Sequence, residues 1–321
     1  MMTGSRSFRI ASRLGLATTV TMFALIIIGS VVRTTGSGLA CPDWPLCEGR
    51  LIPRFEFHLL IEWTHRLFAL AVSLLLFATV AWVAAHRETR AALGGLALLA
   101  VGLLFAQVLL GALTVWKLLH PSVVSSHLAV ALLLFVTVLS LAMIAGARSS
   151  EDAPAVPRDD AGIAWWLGTA TLATWVQAVL GAAVSTSHAG LACPDFPTCR
   201  GEWLPAMTGL VGLHMTHRFG AYTLLVLLAL TFLRTRRAAD PALRETGRAA
   251  LMLVVVQVGL GIMNVLMSLP VWISAAHLAI ATLLLALLVA GALRAARAVE
   301  APQRSREMME GMIGSPEAAT R

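Results

Sequence analysis

Eight apolar runs, each long enough to cross a lipid bilayer, divide this 321-residue chain and constrain its fold more than any other feature. A hydrocarbon core of about 30 Å requires roughly 20 apolar residues per helix. With 58% hydrophobic and 13% charged residues, the chain is too apolar for an ordinary soluble domain. The sequence therefore predicts an all-α polytopic membrane protein with helices over Leu14–Val32, His58–Ala85, Leu93–Trp116, Val123–Ala147, Ile163–Thr186, Met207–Phe232, Ala249–Ser268 and Val271–Leu293.

The distribution of basic residues predicts the orientation of these helices. Most of the 24 Lys and Arg fall in the two tails and in the loops after the second, fourth and sixth helices. The exceptions lie on or near the other side: Arg33, Arg50, Arg54, Arg66, Lys117, Arg200 and Arg218. Because cytoplasmic segments carry an excess of Lys and Arg, we expect both termini in the cytoplasm and a cell inner membrane location. Topology and lipid contact account for the net charge of +7, and no nucleic-acid partner is predicted.

The chain contains an internal repeat that covers both of its halves. "GLACPDWPLC" at Gly38–Cys47 returns as "GLACPDFPTC" at Gly190–Cys199, and "HLAVA" at His127–Ala131 returns as "HLAIA" at His277–Ala281. Four helices per copy give both copies the same orientation, so we predict two tandem four-helix bundles related by a pseudo-two-fold axis along the membrane normal. The predicted organisation is an N-terminal unit (1–148), a cytoplasmic linker (149–161), a C-terminal unit (162–297) and a cytoplasmic tail (298–321).

Each copy carries one Cys-x5-Cys pair in a polar loop on the predicted outer, periplasmic side. An oxidising compartment favours a disulfide within each loop, Cys41–Cys47 and Cys193–Cys199. Free redox-active thiols are the main alternative. A metal site is the weakest interpretation, since neither loop has the further ligands of a tetrahedral set.

Two histidine positions recur in both copies and account for four of the nine histidines: His65, His127, His217 and His277. Each of the four lies on an even-numbered helix, about 9–15 Å below the predicted outer surface. A lone helix histidine is usually a packing residue, but bare imidazoles in lipid are costly without a role. Facing pairs in a helical bundle are a familiar way to hold a haem iron on both sides. We therefore predict two bis-histidine haem sites; a proton relay or a transition-metal site is the alternative. His58 and His214 are weaker ligand candidates.

Charged residues accompany the first histidine of each unit. Arg66 and Arg218 directly follow His65 and His217, where they can pair with haem propionates or extend to the lipid headgroups. Glu62 lies three residues before His65, on the same helix face, whereas the second unit has His214 there. Glu62 is thus a candidate catalytic carboxylate, and the alternative is that it only pairs with Arg66 or a propionate.

Taken together, these motifs resemble those of a known family. "EWTHR" at Glu62–Arg66 is similar to the Glu-x-x-His-Arg motif of haem A synthases, and the eight helices, duplicated histidines and Cys pairs agree with that family from about Leu14 to Arg297. The resemblance implies an enzyme that oxidises a methyl group of haem O to the formyl group of haem A, by successive oxidations with water-derived oxygen, for terminal oxidases. By position, it implies that His65 and His127 hold the substrate haem, that His217 and His277 hold haem b, and that Glu62 is catalytic.

The resemblance also implies partners, and two rival functions stay open. Expected partners are haem O and haem A, the lipid bilayer, a haem O-supplying farnesyltransferase, quinone or another electron acceptor, and oxidase assembly factors. The first rival is a di-haem b-type cytochrome that passes electrons between quinone and a partner. The second is a transporter, for which internal repeats are common.

Overall fold

The computed structural model describes residues 2–150 and 162–313, and these ranges form eight long α-helices. They are α1 (Met2–Thr34), α2 (Phe57–Ala85), α3 (Arg87–Trp116), α4 (Pro121–Ser149), α5 (Ile163–Thr186), α6 (Gly209–Thr235), α7 (Pro241–Leu266) and α8 (Val271–Ile313). All eight are long and apolar enough to cross a membrane. The predicted all-α membrane architecture is confirmed.

The helices coincide with the predicted spans but extend beyond several of them. α1 begins at Met2 rather than Leu14, and α8 continues to Ile313 rather than ending near Leu293. The difference has a physical reason: an apolar run marks only the part of a helix within hydrocarbon, while backbone hydrogen bonds continue into the aqueous interface. The predicted linker lies outside the described residues from position 151 onward, as does the predicted tail from position 314.

Helix contacts fall into two similar groups. In the first half α1 packs on α2 and α4, and α3 packs on α2 and α4; in the second half α5 packs on α6 and α8, and α7 packs on α6 and α8. The halves meet through α1 with α8, α4 with α5, and α4 with α8. If α1 is exchanged with α5 and α4 with α8, the same three contacts result, so the two halves contribute equivalent helices to the interface.

Small residues allow the closest helix approaches, as is usual in membranes. A Cβ built on Gly15 of α1 would lie 2.9 Å from Cβ of Ala142 on α4, so this crossing requires the glycine. Larger side chains fill the remaining interior, and Leu76, Phe135 and Leu285 are fully buried in one apolar cluster that spans both halves. This packing holds α4 and α8 at the centre of the molecule.

Two short helix connections explain part of the "GLAC" repeat. In the α3–α4 turn Leu119 adopts a left-handed conformation, φ 58°, and Leu269 in the α7–α8 turn has φ 61°. Each leucine packs against the first glycine of a cysteine loop: a Cβ on Gly38 would lie 3.2 Å from Leu119, and one on Gly190 would lie 3.0 Å from Leu269. Both glycines are therefore needed for close loop docking.

Candidate functional site

The four repeated histidines form two pairs inside the bundle. His65 of α2 and His127 of α4 are close enough for charges on their rings to interact, and so are His217 of α6 and His277 of α8. Each pair joins the two even-numbered helices of one half. The structure thus brings together the residues that the sequence predicted to face each other.

A glycine on the neighbouring odd-numbered helix packs against each histidine ring. The pairs are Gly29 with His65, Gly111 with His127, Gly181 with His217, and Gly261 with His277. A Cβ on Gly181 would lie only 2.9 Å from Cε1 of His217, and those on the other three would lie 3.1, 3.3 and 3.2 Å from Cε1 of their histidines. The absence of a side chain at these positions lets every imidazole lie against a helix backbone.

Glutamine side chains approach two of the four rings. Nε2 of Gln107 lies 3.1 Å from Nε2 of His127, and Nε2 of Gln177 lies 3.0 Å from Nδ1 of His217. For His277 the interaction is with the backbone of Gln257 rather than its side chain. Sequence reasoning assigned no role to these glutamines or to the four glycines. Gln107, Gln177 and Gln257 each precede a glycine by four residues, and this repeated spacing was the available signal.

Glu62 is almost fully buried near the N-terminal end of α2, with an exposed fraction of 4%. Its Oε2 accepts a hydrogen bond of 2.8 Å from the backbone N–H of Cys41, and its Oε1 pairs with Nη2 of Arg66 at 2.5 Å. Arg66 also donates to the backbone carbonyls of Asp43, Leu46 and Cys41. One carboxylate and one guanidinium therefore fasten the first cysteine loop over the His65 pocket.

The second half fastens its loop with a different pair of side chains. Arg218 donates to the backbone carbonyls of Thr198 (2.8 Å), Cys193 (2.9 Å) and Asp195 (2.8 Å). His214, in the position equivalent to Glu62, is buried, and its Nδ1 lies 2.8 Å from the carbonyl oxygen of Ala189. Both arginines thus hold a cysteine loop through its backbone carbonyls. Contacts between these arginines and haem propionates stay a prediction.

Both cysteine pairs are disulfide-bonded, Cys41 to Cys47 and Cys193 to Cys199, as the sequence predicted. An aspartate inside each ring organises the turn. Asp43 accepts from the N–H groups of residues 48 and 49, and Asp195 accepts from Thr198 Oγ1 and the N–H groups of residues 200 and 201. The backbone hydrogen bond from Gly49 does most to lower the pKa of Asp43, and the Thr198 hydroxyl does most to lower that of Asp195.

The weaker histidine candidate of the first half lies away from the pairs. Nδ1 of His58 is 2.9 Å from the hydroxyl of Ser37, near the base of the first cysteine loop. Through this contact His58 anchors the loop to the start of α2.

The chemistry of the donor set fits haem better than a bare metal ion. Within the described residues no three His, Cys, Asp or Glu side chains gather as they would around a protein-only metal site. A bis-histidine haem needs only two protein ligands, because the porphyrin supplies the other four. The Nδ1 atoms of His65, His127 and His277 are buried without a hydrogen-bond partner in the described structure, so the protein leaves polar ring atoms unsatisfied at these sites.

Two membrane-embedded histidine pairs in a duplicated helical bundle, each beneath a disulfide-bonded loop, define a polytopic membrane protein with two sites suited to haem. A model of the COX15-CtaA family, described as cytochrome oxidase assembly protein, matches residues 12–289. The chain belongs to this family.

Several curated relatives have the same name. A protein of Symbiobacterium thermophilum named "Heme A synthase" is 32% identical over 257 residues, which is 77% of this chain and 82% of the relative. A second "Heme A synthase", from Halalkalibacterium halodurans, is 30% identical over 278 residues, or 84% of this chain and 92% of the relative. A third, from Shouchella clausii, is 30% identical over 79% of this chain and 86% of the relative. These matches span both halves and identify the protein as a membrane oxidoreductase of haem A biosynthesis.

Proposed function

We propose that the protein converts haem O to haem A and that the chemistry takes place in the first half. In this proposal His65 and His127 bind the iron of substrate haem O, and Glu62 is the catalytic carboxylate. The single observation that carries the assignment is the difference between two otherwise similar sites: a buried carboxylate stands three residues before His65, and a buried imidazole, His214, stands three residues before His217.

Glu62 is suited to act as a base because its position is fixed by two hydrogen bonds. The Cys41 N–H donates to one carboxylate oxygen and the Arg66 guanidinium to the other. A carboxylate oxygen has two lone pairs, so each can still accept a proton from a water molecule beside the haem edge. Its negative charge would also stabilise positive charge that develops on the substrate during oxidation.

Conversion of a methyl group to a formyl group with oxygen from water releases four protons and four electrons. The bound haem iron supplies one-electron redox chemistry. The electrons require an external acceptor, for which a quinone of the membrane is a suitable chemical class. Glu62 receives protons near the outer surface, where the polar loop gives them an exit to water.

In the second half we propose that His217 and His277 hold a resident haem b. His214 places no carboxylate beside the second site, and its Nδ1 lies against the Ala189 carbonyl oxygen. Arg66 and Arg218 lie beside the proposed haems as candidates for propionate contacts.

The proposed orientation has both termini in the cytoplasm and both cysteine loops in the periplasm. It rests on the excess of Lys and Arg in the predicted cytoplasmic segments. A farnesyltransferase that makes haem O, and oxidase assembly factors that receive haem A, are the partners this function requires. Both exchange haem with the protein within the membrane.

Expression in a host that makes haem O, followed by chromatography of the extracted haems, tests the proposal. Wild type should yield haem A or a hydroxylated haem O intermediate. Glu62→Gln keeps the size of the side chain but removes its charge, and we expect product to fall by about 100-fold or more, a usual range for loss of a general base. Retained haem b in the second half would show that this variant is folded.

Glu48→Gln is the matched control, because Glu48 is an outer-loop carboxylate that pairs with Arg54. It should leave haem A production unchanged. Full haem A production by Glu62→Gln would remove Glu62 from the mechanism. Haem b as the only haem extracted from wild type would instead favour an electron-transferring cytochrome.

A further inference from the structure

A short segment between the first cysteine loop and α2 exposes large apolar side chains. Within this segment, residues 51–57, Leu51 is 81% exposed and Phe55 is 87% exposed, and Ile52 and Phe57 are exposed as well. Four large hydrophobic side chains within seven residues exceed the scattered apolar exposure that is normal on a protein surface. Such a cluster marks a surface that another apolar phase covers.

The second copy repeats this feature with different residues. Residues 203–209 occupy the same place between the second cysteine loop and α6, and Trp203 and Leu204 there are 70% and 78% exposed. Met207, equivalent to Phe55, is exposed too. The two segments share only one identical residue, a proline, yet both keep apolar side chains outward. A common surrounding medium explains this better than a specific contact would.

Hydrogen bonds hold the first loop and its segment beside α2. Nε1 of Trp63, in the second turn of the helix, donates a 2.8 Å bond to the carbonyl of Leu51. Arg66, in the third turn, donates to the carbonyls of Asp43 and Leu46. Because these donors belong to the second and third turns, the loop and the segment lie alongside the first turns of a membrane-spanning helix.

The length of α2 places these first turns in the membrane interface. Its 29 residues span about 43 Å, some 13 Å more than the hydrocarbon core. Residues 51–56 form neither helix nor strand, and irregular backbone is not exposed to hydrocarbon because its polar groups need water or other partners. Exposed apolar side chains on such a backbone therefore fit the boundary between headgroups and acyl chains.

Charged residues of the segment suit the same boundary. Arg54 lies between the apolar positions and pairs with Glu48 at 2.5 Å and with Glu56 at 3.5 Å. All three side chains keep contact with solvent, so they can lie among the headgroups while the neighbouring apolar side chains point toward the acyl chains.

The apolar surface continues without a break onto the helix that follows. Phe57 is the first residue of α2, and exposed leucines follow at Leu67, Leu70 and Leu74. These positions lie on a helix long and apolar enough to cross the membrane, so lipid is the medium that they face. The segment extends this lipid-facing surface toward the cysteine loop.

We propose that residues 51–57 and 203–209 bind the lipid leaflet on the cysteine-loop side of the membrane and thereby hold each loop against its helix. The ligand is phospholipid, bound by burial of apolar side chains at the headgroup boundary and not through a particular headgroup. This contact does not depend on the reaction proposed above. In the first half it supports the loop that supplies the Cys41 N–H to Glu62.

Nitroxide labels in the full-length protein in phosphatidylcholine nanodiscs test the lipid contact. All four native cysteines form disulfides, so one introduced cysteine is labelled selectively. We expect labels at Phe55→Cys and Leu204→Cys to collide more often with molecular oxygen, which concentrates in lipid, than with a water-soluble nickel chelate. Leu98→Cys on the exposed surface of α3 is the lipid control, and Glu88→Cys at the α2–α3 turn is the water control.

Two results of the label experiment would overturn the proposal. Labels at residues 55 and 204 that behave like Glu88→Cys would place both segments in water. Labels shielded from oxygen and nickel alike would show that a protein surface, such as a second copy of this chain, covers them instead.

Hydrogen exchange in the same nanodiscs tests whether the lipid contact holds the loop. The double variant L51N/F55N should speed amide exchange in residues 41–47 about 10-fold, because two apolar side chains lose their burial in lipid. Leu118→Asn is the matched control: this exposed leucine lies on the same side in the α3–α4 turn, and its φ of 49° suits asparagine. It should leave exchange in the loop unchanged.

Unchanged exchange in the double variant would overturn the anchoring role. Wild-type exchange rates in α3 and α4 would show that this variant is folded. If it does not fold, the labels at residues 55 and 204 still decide whether the segments meet lipid.

Discussion

At the scale of single residues, the glycines beside the four histidines determine how closely an imidazole can approach the neighbouring helix. Their Cβ positions would all fall within 3.3 Å of a ring carbon, and that at Gly181 would fall within 2.9 Å. The ring cannot simply rotate away, because Gln177 holds His217 from the same helix face. We therefore expect the closest glycine to be the most sensitive one.

Gly181→Ala should displace the His217 ring and weaken haem b binding by about 10-fold or more, as expected when the support of a metal ligand is lost. The measurement is haem b bound per protein after purification, with its absorption spectrum. Gly259→Ala is the control, since a Cβ there meets no atom within 4 Å and alanine is favoured over glycine in a helix by about 1 kcal/mol. Equal haem b content and spectra in both variants would contradict the importance of the contact.

At the scale of elements, each cysteine loop is fixed by its own aspartate and by an arginine from the helix below. Arg66 and Arg218 reach equivalent backbone carbonyls, although Glu62 takes part in only one of the two arrangements. Each site is therefore covered by its own cysteine loop, which is held in place as a cap. The first site adds to it a direct hydrogen bond between the cap and the proposed catalytic carboxylate.

The loops should be insensitive to pH near neutrality and loosen only in acid. When the folded-state pKa of an aspartate lies below its ordinary value of about 3.9, the charged carboxylate stabilises the fold fully at any pH above that ordinary value. This stabilisation is lost as the pH falls through the lowered pKa. For Asp195 we expect the amide hydrogens of residues 200 and 201 to stay protected from pH 7 to about pH 4 and to exchange faster below it. Hydrogen exchange followed by mass spectrometry, corrected for the intrinsic effect of pH, measures this.

Asp195→Asn should remove both the protection and its pH dependence, because one amide oxygen cannot replace two carboxylate oxygens. Glu202→Gln alters an exposed carboxylate in the same loop and should behave like wild type. Protection in Asp195→Asn that equals wild type would show that the disulfide alone orders the loop.

At the scale of the whole molecule, duplication explains what the sequence could predict. Eight helices, two copies and four paired histidines follow from apolar length and repeated motifs, which are properties of the chain alone. The glycine contacts and the closure of the loops on Arg66 and Arg218 depend on how each helix is rotated toward its neighbours, which no single-sequence pattern determines. The exchange of Glu62 for His214 was visible in the sequence; the Cys41 hydrogen bond that fixes Glu62 was not.

The contact between the halves shows one place where the two copies had to differ. Nη1 of Arg33, near the end of α1, donates a 2.9 Å hydrogen bond to the carbonyl oxygen of Ser185, near the end of α5. The two residues are equivalent in the repeat, with a separation of 152. A residue that meets its own copy is expected to lie near the predicted pseudo-two-fold axis. An arginine in both copies would bring two like charges together in a partly buried place.

Ser185→Arg should therefore destabilise the protein, and the exchanged double variant R33S/S185R should recover most of the loss. Arg33→Ser alone removes one charged hydrogen bond and should cost about 1–2 kcal/mol. Ser185→Ala is the control, because the backbone carbonyl that accepts the bond is kept. Thermal unfolding in detergent, followed by tryptophan fluorescence, ranks the four variants. Wild-type stability in Ser185→Arg, or a double variant no better than the single one, would mean that the two positions are not juxtaposed across the axis.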